Sequence, residues 1–256
     1  MKKPCLALAI LTLLAPLASA DLLLSSKSHT DAYKLFGKDV PAKDSTSTLW
    51  LGKDRMRIES EGLNAIVRLD TKKLILLDGK EKVWRAIELP FDFKRYLPPE
   101  KVLLAEQMFG ARALTAKLEE RDETKKFGEW NAKRWELTLS LQGYAITQET
   151  IWATSELKAD AAAFAEMYTA LMSITPENRN LVKELPRLKG IPVRRERTQN
   201  VSGVSVATLE EVLSALEKDA PAGIYDPPAD YAEKPYELLA KPAAAKAPPA
   251  GGKPGG

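Results

Sequence analysis

Apolar and polar residues alternate in several short segments of the chain. In residues 55–59, Met56 and Ile58 share one face of an extended segment, and the charged residues share the other. Residues 134–141 alternate more cleanly still, and their apolar face consists of Trp135, Leu137, Leu139 and Leu141. This period of two predicts strands of an antiparallel sheet that has one face in contact with water.

Short apolar runs bounded by turn residues predict further strands. They lie at 22–29, 46–52, 64–69, 73–78, 82–88, 112–120, 145–153, 189–199 and 203–209. Many of the connections are short, and Asp78-Gly79 is the strongest hairpin signal among them. Because no helical crossovers separate the strands, the pattern favours an antiparallel meander over a parallel α/β sheet.

Helices are predicted in two places. Residues 98–109 begin with prolines, which are favoured at the start of a helix. Residues 160–173 repeat apolar side chains at i, i+3 and i+4, with Asp160 as the N-cap, and a short helix should follow Thr175. The helical insert near 154–188 lies between groups of strands, so we predict one α+β domain over residues 21–235. Its expected form is a curved antiparallel sheet or half-open β-barrel with helices covering the concave face.

The N-terminal segment predicts export. Residues 1–20 combine Lys2 and Lys3 with a short apolar run and end in Ala18-Ser19-Ala20, the pattern of a secretory signal peptide that is cleaved after Ala20. In a Gram-negative cell the expected compartment is the periplasm. The apolar run is too short to span a bilayer and no second long run follows, so we expect no transmembrane segment after cleavage.

The C-terminal segment, residues 236–256, predicts a disordered tail. Its last sixteen residues are only Ala, Pro, Gly and Lys, a composition that cannot bury a core. These residues include Lys241, Lys246 and Lys253 but no acid. Three lysines are too few to anchor the chain to an anionic surface by themselves.

Charge argues against a nucleic-acid partner. The chain has 38 Lys and Arg and 35 Asp and Glu, but five of the lysines lie in residues 1–20 and 241–256, which contain no acid. The middle, residues 21–240, therefore has a net charge of −2, and it lacks the concentrated basic surface that nucleic-acid binding needs.

The residues of common catalytic and metal sites are scarce. The single cysteine, Cys5, lies in the predicted signal peptide, so the mature chain should have no disulfide, thiol nucleophile or thiolate metal site. His29 is the only histidine, and no nucleophile-elbow, P-loop, dinucleotide or zinc motif occurs. Neighbouring acids such as Glu119 and Glu120 point to opposite faces of a strand. We therefore predict a protein that is not an enzyme and has no catalytic residue, metal or cofactor.

Two features leave alternatives open. The five tryptophans all lie in the sheet-rich part of the chain, and they either fill an ordinary core or line an apolar cavity. The basic stretch 187–197 would place Arg195 and Arg197 on the face of Ile191 and Val193. It is either a solvated hairpin face balanced by nearby acids or a contact for an anionic head group or a partner.

The order of the elements resembles a known superfamily. Residues 48–57 (TLWLGKDRMR), the strands at 66–70, 73–78 and 82–84, the segment 128–135 (GEWNAKRW) and the segment 225–231 (YDPPADY) carry the resemblance. They are similar to the LolA/LolB-like lipoprotein carriers, and in particular to a secreted bacterial branch known only as a domain of unknown function. The resemblance implies a half-open barrel whose helices plug the concave side and shelter acyl chains.

The predicted function is binding of an apolar or amphipathic ligand between sheet and helices. The expected partner is a lipid or a lipoprotein acyl chain, and the expected ligand-binding residues are Trp50, Met56, Ile58, Trp84 and Trp135 with Arg55 and Arg57 at the rim. The alternative is a protein-interaction or structural module of the envelope, in which the core is filled by its own side chains.

Overall fold

A single large sheet dominates the protein. The computed structural model describes residues 20–238, apart from the side chain of Ala145, so the predicted signal peptide and the tail from residue 239 lie outside the described residues. The strands are Asp21–Thr30 (β1), Tyr33–Leu35 (β2), Lys38–Val40 (β3), Lys43–Leu51 (β4), Arg55–Glu59 (β5), Asn64–Arg68 (β6), Lys73–Asp78 (β7), Val83–Glu88 (β8), Thr115–Phe127 (β9), Trp130–Leu141 (β10), Tyr144–Thr154 (β11), Ile191–Val201 (β12), Val204–Lys218 (β13) and Ala232–Glu233 (β14).

Twelve of these strands form one sheet in the order β14-β8-β7-β6-β5-β4-β1-β13-β12-β11-β10-β9. All neighbours are antiparallel except β14 and β8, which are parallel. The first strand lies in the middle, where Leu23 pairs with Trp50 of β4 on one side and with Leu216 of β13 on the other. The sheet is antiparallel as predicted but open: its edge strands, β14 and β9, lie at opposite ends of the strand order, and it does not close into a barrel.

The predicted strands all occur. The structure differs from the prediction in strand ends and in one hairpin, where polar residues predominate. Strand β13 continues to Lys218, well beyond the predicted end at 209, and β9 continues to Phe127 instead of ending at 120. The hairpin of β2 and β3 was not predicted at all. These segments lack a regular apolar face, so their backbone pairing leaves little trace in the hydrophobic pattern.

The two long helices lie within two residues of their predicted bounds, at Pro99–Ala111 (α1) and Ala161–Ser173 (α2). The short helix predicted after Thr175 is a 3₁₀ turn, Pro176–Arg179, followed by the short helix Leu181–Glu184 (α3). Further 3₁₀ turns lie at Phe93–Tyr96, before α1, and at Leu185–Arg187, after α3. Asp160 caps α2 by accepting hydrogen bonds from the backbone of Ala162 (2.9 Å) and Ala163 (3.2 Å). Within residues 20–238, none of the helices has the length and apolar composition of a membrane span.

The two faces of the sheet are covered by different segments. Helix α2 packs on the helix-covered face, where its Phe164, Met167 and Leu171 join a cluster with Met56 and Leu74 of the sheet. Leucines of α3 and the following turn extend this cover over β9–β11, against Trp135 and Ile151 among others. Burial of these side chains is the main source of stability for such a layered fold.

The opposite face is covered over β4–β8 by residues 220–231, which we call the strap. Tyr225 of the strap is buried against Trp50, Ile66, Ile75 and Leu77. Along their strands these residues alternate with the residues beneath α2, so their side chains point to the opposite face. Its hydroxyl donates to Asp21 at 2.9 Å, and Arg57 donates to the backbone oxygen of Ile224 at 2.9 Å. This half of the sheet is therefore buried on both faces.

Candidate ligand-binding site

An apolar cavity lies between α2 and the centre of the sheet. Its volume is about 80 Å³, and residues of β1, β4, β5, β12 and β13 form its floor. The apolar lining comprises Leu24, Leu49, Met56, Ile58, Phe164, Ile191, Pro192, Val193 and Val212. Strands β1, β4 and β5 supply these side chains at every second position, whereas β12, whose pairing with β11 shifts register here, supplies the consecutive residues 191–193.

A second cavity of about 190 Å³ lies on the same face, beneath the segment that follows α2. Its apolar lining comprises Leu137, Leu139, Ile151, Met172, Leu181, Leu185 and Leu188. Tyr168, Pro192 and Arg195 line both cavities. The two spaces are therefore neighbours, and these three residues lie at their boundary.

A buried charged cluster, Glu149 with Arg195 and Arg197, adjoins this boundary. The Glu149 side chain is only 2% exposed, and its carboxylate accepts hydrogen bonds from Arg195 Nε at 2.5 Å and Arg197 Nε at 3.4 Å. Arg195 also donates to the Tyr168 hydroxyl at 3.1 Å, and its guanidinium lies 5.6 Å from the centre of the Tyr168 ring. The cluster brings cations, an anion and a phenol together at the edge of apolar space.

Burial and charge act in opposite directions on this carboxylate. Burial raises the pKa of Glu149, but the attraction of Arg195 and Arg197, together with their hydrogen bonds, outweighs it and leaves the pKa below the ordinary value. Glu149 in turn raises the pKa of Arg195 against the opposing effect of burial. Both groups are therefore charged at neutral pH.

The structure brings together only two of the residues predicted to bind ligand, Met56 and Ile58, in the cavity beneath α2. Trp50, Trp84 and Arg57 lie on the opposite face, beneath or beside the strap. The register explains the separation, since Trp50 pairs with Arg57 while Leu51 pairs with Met56, and neighbours along a strand point to opposite faces.

The remaining two predicted residues lie farther from the first cavity. Trp135 is buried in the cluster beneath α3, where its indole nitrogen has no hydrogen-bond partner among the described residues. The exposed Arg55 lies over the ring of Tyr225, 5.2 Å from its centre. The tryptophans therefore fill cores on both faces, and Trp50, Trp84 and Trp135 do not form one wall.

The basic stretch 187–197 divides between two faces. Arg195 and Arg197 lie on the helix-covered face with Ile191 and Val193, as the alternation predicts. Arg194 points the other way and pairs with Glu196 and Glu211. Acids balance the charge of this stretch, as one of the two interpretations expected, but the partner of Arg195 is a buried glutamate.

The sequence-based site did not include Glu149 or Tyr168. The signal for a buried acid in this region would have been the two arginines at alternating positions of one strand, Arg195 and Arg197.

His29 lies outside both cavities. It is half-exposed, with Nδ1 2.7 Å from Asp44 and Nε2 3.4 Å from Asp31. The hydrogen bond with Asp44, followed by the charges of both aspartates, raises the pKa of His29. Both ring nitrogens face carboxylates, an arrangement without the hydroxyl of a catalytic triad. Within residues 20–238, no three His, Cys, Asp or Glu side chains are grouped to hold a metal ion.

Comparison with known proteins gives structural neighbours only. No family model matches the sequence, and no curated protein matches it. Among solved structures, PNGF-II is 12% identical with a TM-score of 0.39; the match covers 84% of this chain but only 31% of that one, so this chain spans less than a third of its length.

Two further structures are similar over most of both chains. A LolA superfamily protein from Nitrosomonas europaea is 9% identical with a TM-score of 0.29, covering 81% of this chain and 90% of its own. An outer membrane lipoprotein-sorting protein domain from Vibrio parahaemolyticus is 6% identical with a TM-score of 0.29, covering 81% and 89%.

Proposed function

We propose that this protein is an exported, non-enzymatic binder of an amphipathic lipid, which places an acyl chain between α2 and the sheet. The observation that carries the proposal is the apolar cavity beneath α2, whose boundary holds the charged Arg195. An apolar lining with a few oriented polar groups is the usual composition of a small-molecule site. The similarity of the sequence to lipoprotein carriers supports a lipid or a lipoprotein acyl chain as the ligand class.

The described form is closed. Cavities of about 80 and 190 Å³ are smaller than the roughly 300 Å³ or more of a typical ligand site. We therefore propose that α2 moves away from the sheet when lipid enters, so that the two neighbouring cavities join around Tyr168. Each methylene that the lipid buries would stabilise the complex by about 0.8 kcal/mol, which can offset the separation of α2 from the sheet.

Native mass spectrometry of the protein purified from cells, followed by organic extraction, tests this function. We expect a bound lipid in the native protein, and its loss in Val212→Trp, because the added indole fills the space that Val212 lines. Leu213→Trp is the matched control, since Leu213 is the next residue along β13 and is 58% exposed. The proposal fails if neither purified protein nor protein mixed with phospholipid binds lipid, or if folded Val212→Trp retains it.

The small cavity volumes favour a second candidate, a protein-interaction module of the envelope whose core is filled by its own side chains. In that case Val212→Trp should lower the free energy of unfolding by about 1–3 kcal/mol, as overpacking does, without changing any bound mass. Crosslinking in cells would then recover a protein partner from both the native chain and the variant, while extraction recovers no lipid from either.

A further inference from the structure

One wall of the second cavity is polar, and it leads to the surface of the protein. On β12, the alternate residues Arg195, Arg197 and Gln199 line this wall. Exposure rises along the strand: the side chain of Arg195 is 19% exposed, that of Arg197 is 37% exposed, and Gln199 is exposed. Thr147 of β11, which pairs with Gln199, lines the same end of the cavity. The cavity therefore has an apolar interior and a polar mouth at residues 197–199.

Arg197 has unused hydrogen-bond donors at this mouth. Arg195 donates to Glu149 and to the Tyr168 hydroxyl, whereas Arg197 donates only through Nε, to Glu149 at 3.4 Å. Neither Nη atom of Arg197 donates to another residue between 20 and 238. A guanidinium presents its donors in a planar fork that matches a carboxylate or a phosphate. All the donors of Arg197 except Nε are therefore available to an acidic ligand.

The charges around the second cavity also favour an anion. Its lining contains two arginines, Arg195 and Arg197, against one acid, Glu149, which gives a net charge of +1. Glu210 lies 3.9 Å from Arg195 but lines the cavity beneath α2 instead. Arg195 thus has two acidic neighbours, whereas Arg197 shares its single acid with Arg195. A partly buried cation whose charge is incompletely balanced attracts an anion more strongly than the same cation does in bulk water.

We propose that the ligand is an anionic lipid and that Arg197 binds its head group. The inference rests on the proposed lipid binding, and it narrows the ligand class to lipids whose head group is a carboxylate or a phosphate. The acyl chain would run from the mouth past Tyr168 into the cavity beneath α2. Burial of the chain supplies affinity for any lipid, whereas the charged hydrogen bonds of Arg197 supply the preference for an acidic one.

Titration calorimetry with three lipids of one acyl chain tests the inference: laurate, lauroyl lysophosphatidic acid and the uncharged monolauroylglycerol. We expect an acidic lipid to bind the purified protein about tenfold more tightly than monolauroylglycerol, as a hydrogen bond to a charged group allows. The tighter of the two acidic lipids distinguishes a carboxylate from a phosphate head group. Arg197→Gln should remove the preference and leave monolauroylglycerol binding unchanged. Arg121→Gln is the matched control, since Arg121 is 43% exposed but lies on the face opposite the helices.

A second variant, Gln199→Glu, alters the mouth without changing the buried cluster. Gln199 is exposed and follows Arg197 by two positions, on the same face of β12. The added carboxylate should weaken binding of the acidic lipids several-fold and leave that of monolauroylglycerol unchanged. Val212→Trp should instead weaken binding of all three lipids alike, because its indole fills the space for the acyl chain.

Equal affinity for acidic and uncharged lipids, or an unchanged preference in Arg197→Gln, would overturn the inference and leave the proposed lipid binding intact. Where none of the three lipids binds, the lipid extracted from the purified protein decides the question. An acidic lipid there supports the inference, an uncharged lipid overturns it alone, and the absence of any lipid overturns the proposed function as well. Circular dichroism of each variant confirms that its fold is retained.

Discussion

The two halves of the sheet bury their surfaces in different ways. Strands β4–β8 carry apolar side chains on both faces, with α2 on one and the strap on the other. Strands β9–β12 are covered by helical residues on one face, while charged side chains line the other. On this uncovered face, charged side chains of neighbouring strands form a row of ion pairs, which we call the ladder: Glu119, Arg121, Glu123, Arg134 and Glu136.

The ladder continues across several strands of the second half. Arg121 lies between Glu119 and Glu136, Arg134 between Glu123 and Glu136, and the same face borders an open trough of about 630 Å³. These side chains remain about a third or more exposed, so each pair is weakened by solvent. The stability of the second half should therefore depend on its helix-covered face, where the charged cluster of Glu149 and Arg195 lies.

The largest effect is expected for Glu149→Gln. The substitution leaves Arg195 and Arg197 without their buried counter-charge, so the free energy of unfolding should fall by about 3–5 kcal/mol. Urea unfolding measures this loss. Adding Arg195→Met should restore part of it, because the double variant no longer buries the Arg195 charge, whose remaining partner Glu210 is 3.9 Å away. If Glu149→Gln alone is neutral, the cluster does not stabilise the second half.

A loss of about 3 kcal/mol is expected for Tyr225→Ala, which removes the main side chain that attaches the strap to β4–β8. Tyr225→Phe keeps the ring and loses only the hydrogen bond to Asp21, at a cost of about 1 kcal/mol. Thermal or urea unfolding compares the two. Equal losses would show that the hydrogen bond, and not burial of the ring, holds the strap in place.

A smaller effect should appear in the dependence of stability on pH. Since the folded-state pKa of Glu149 lies below its unfolded value, its contribution is present above the unfolded pKa and is lost as pH falls through the folded pKa. Urea midpoints measured from neutral pH into the acid range should therefore fall less steeply for Glu149→Gln than for the native protein. Parallel curves would contradict a charged native Glu149.

The smallest effect is expected for Arg121→Ala on the ion-pair ladder. Its partners Glu119 and Glu136 stay in contact with solvent, so the urea midpoint should match that of the native protein. High salt should leave the native midpoint equally unchanged. A clear loss of stability would show that the ladder acts as a cooperative network. Its charged face would then stabilise the second half much as the strap stabilises the first.

The site was only partly predictable from the sequence. Met56 and Ile58 were assigned to a cavity wall because they alternate with charged neighbours, and both line the cavity beneath α2. Trp50 and Trp84 lie in predicted strands among apolar residues, a position that indicates burial but not which face of the sheet buries them. Glu149 was missed because Arg195 and Arg197, at alternating positions, indicate that an acid faces them but not which acid of a neighbouring strand does so.

The sequence by itself determined most of the local structure of this protein: the strands with a regular apolar face, the turn at Asp78-Gly79, the two long helices and the cap at Asp160. These features depend on side-chain period and on backbone preferences within a few residues. Tertiary structure alone decided that the sheet stays open, that the strap covers the second face of β4–β8, and that Glu149 meets Arg195 across 46 positions of the chain. Pairings at that separation follow from strand order and register, and many strand orders satisfy the same hydrophobic pattern.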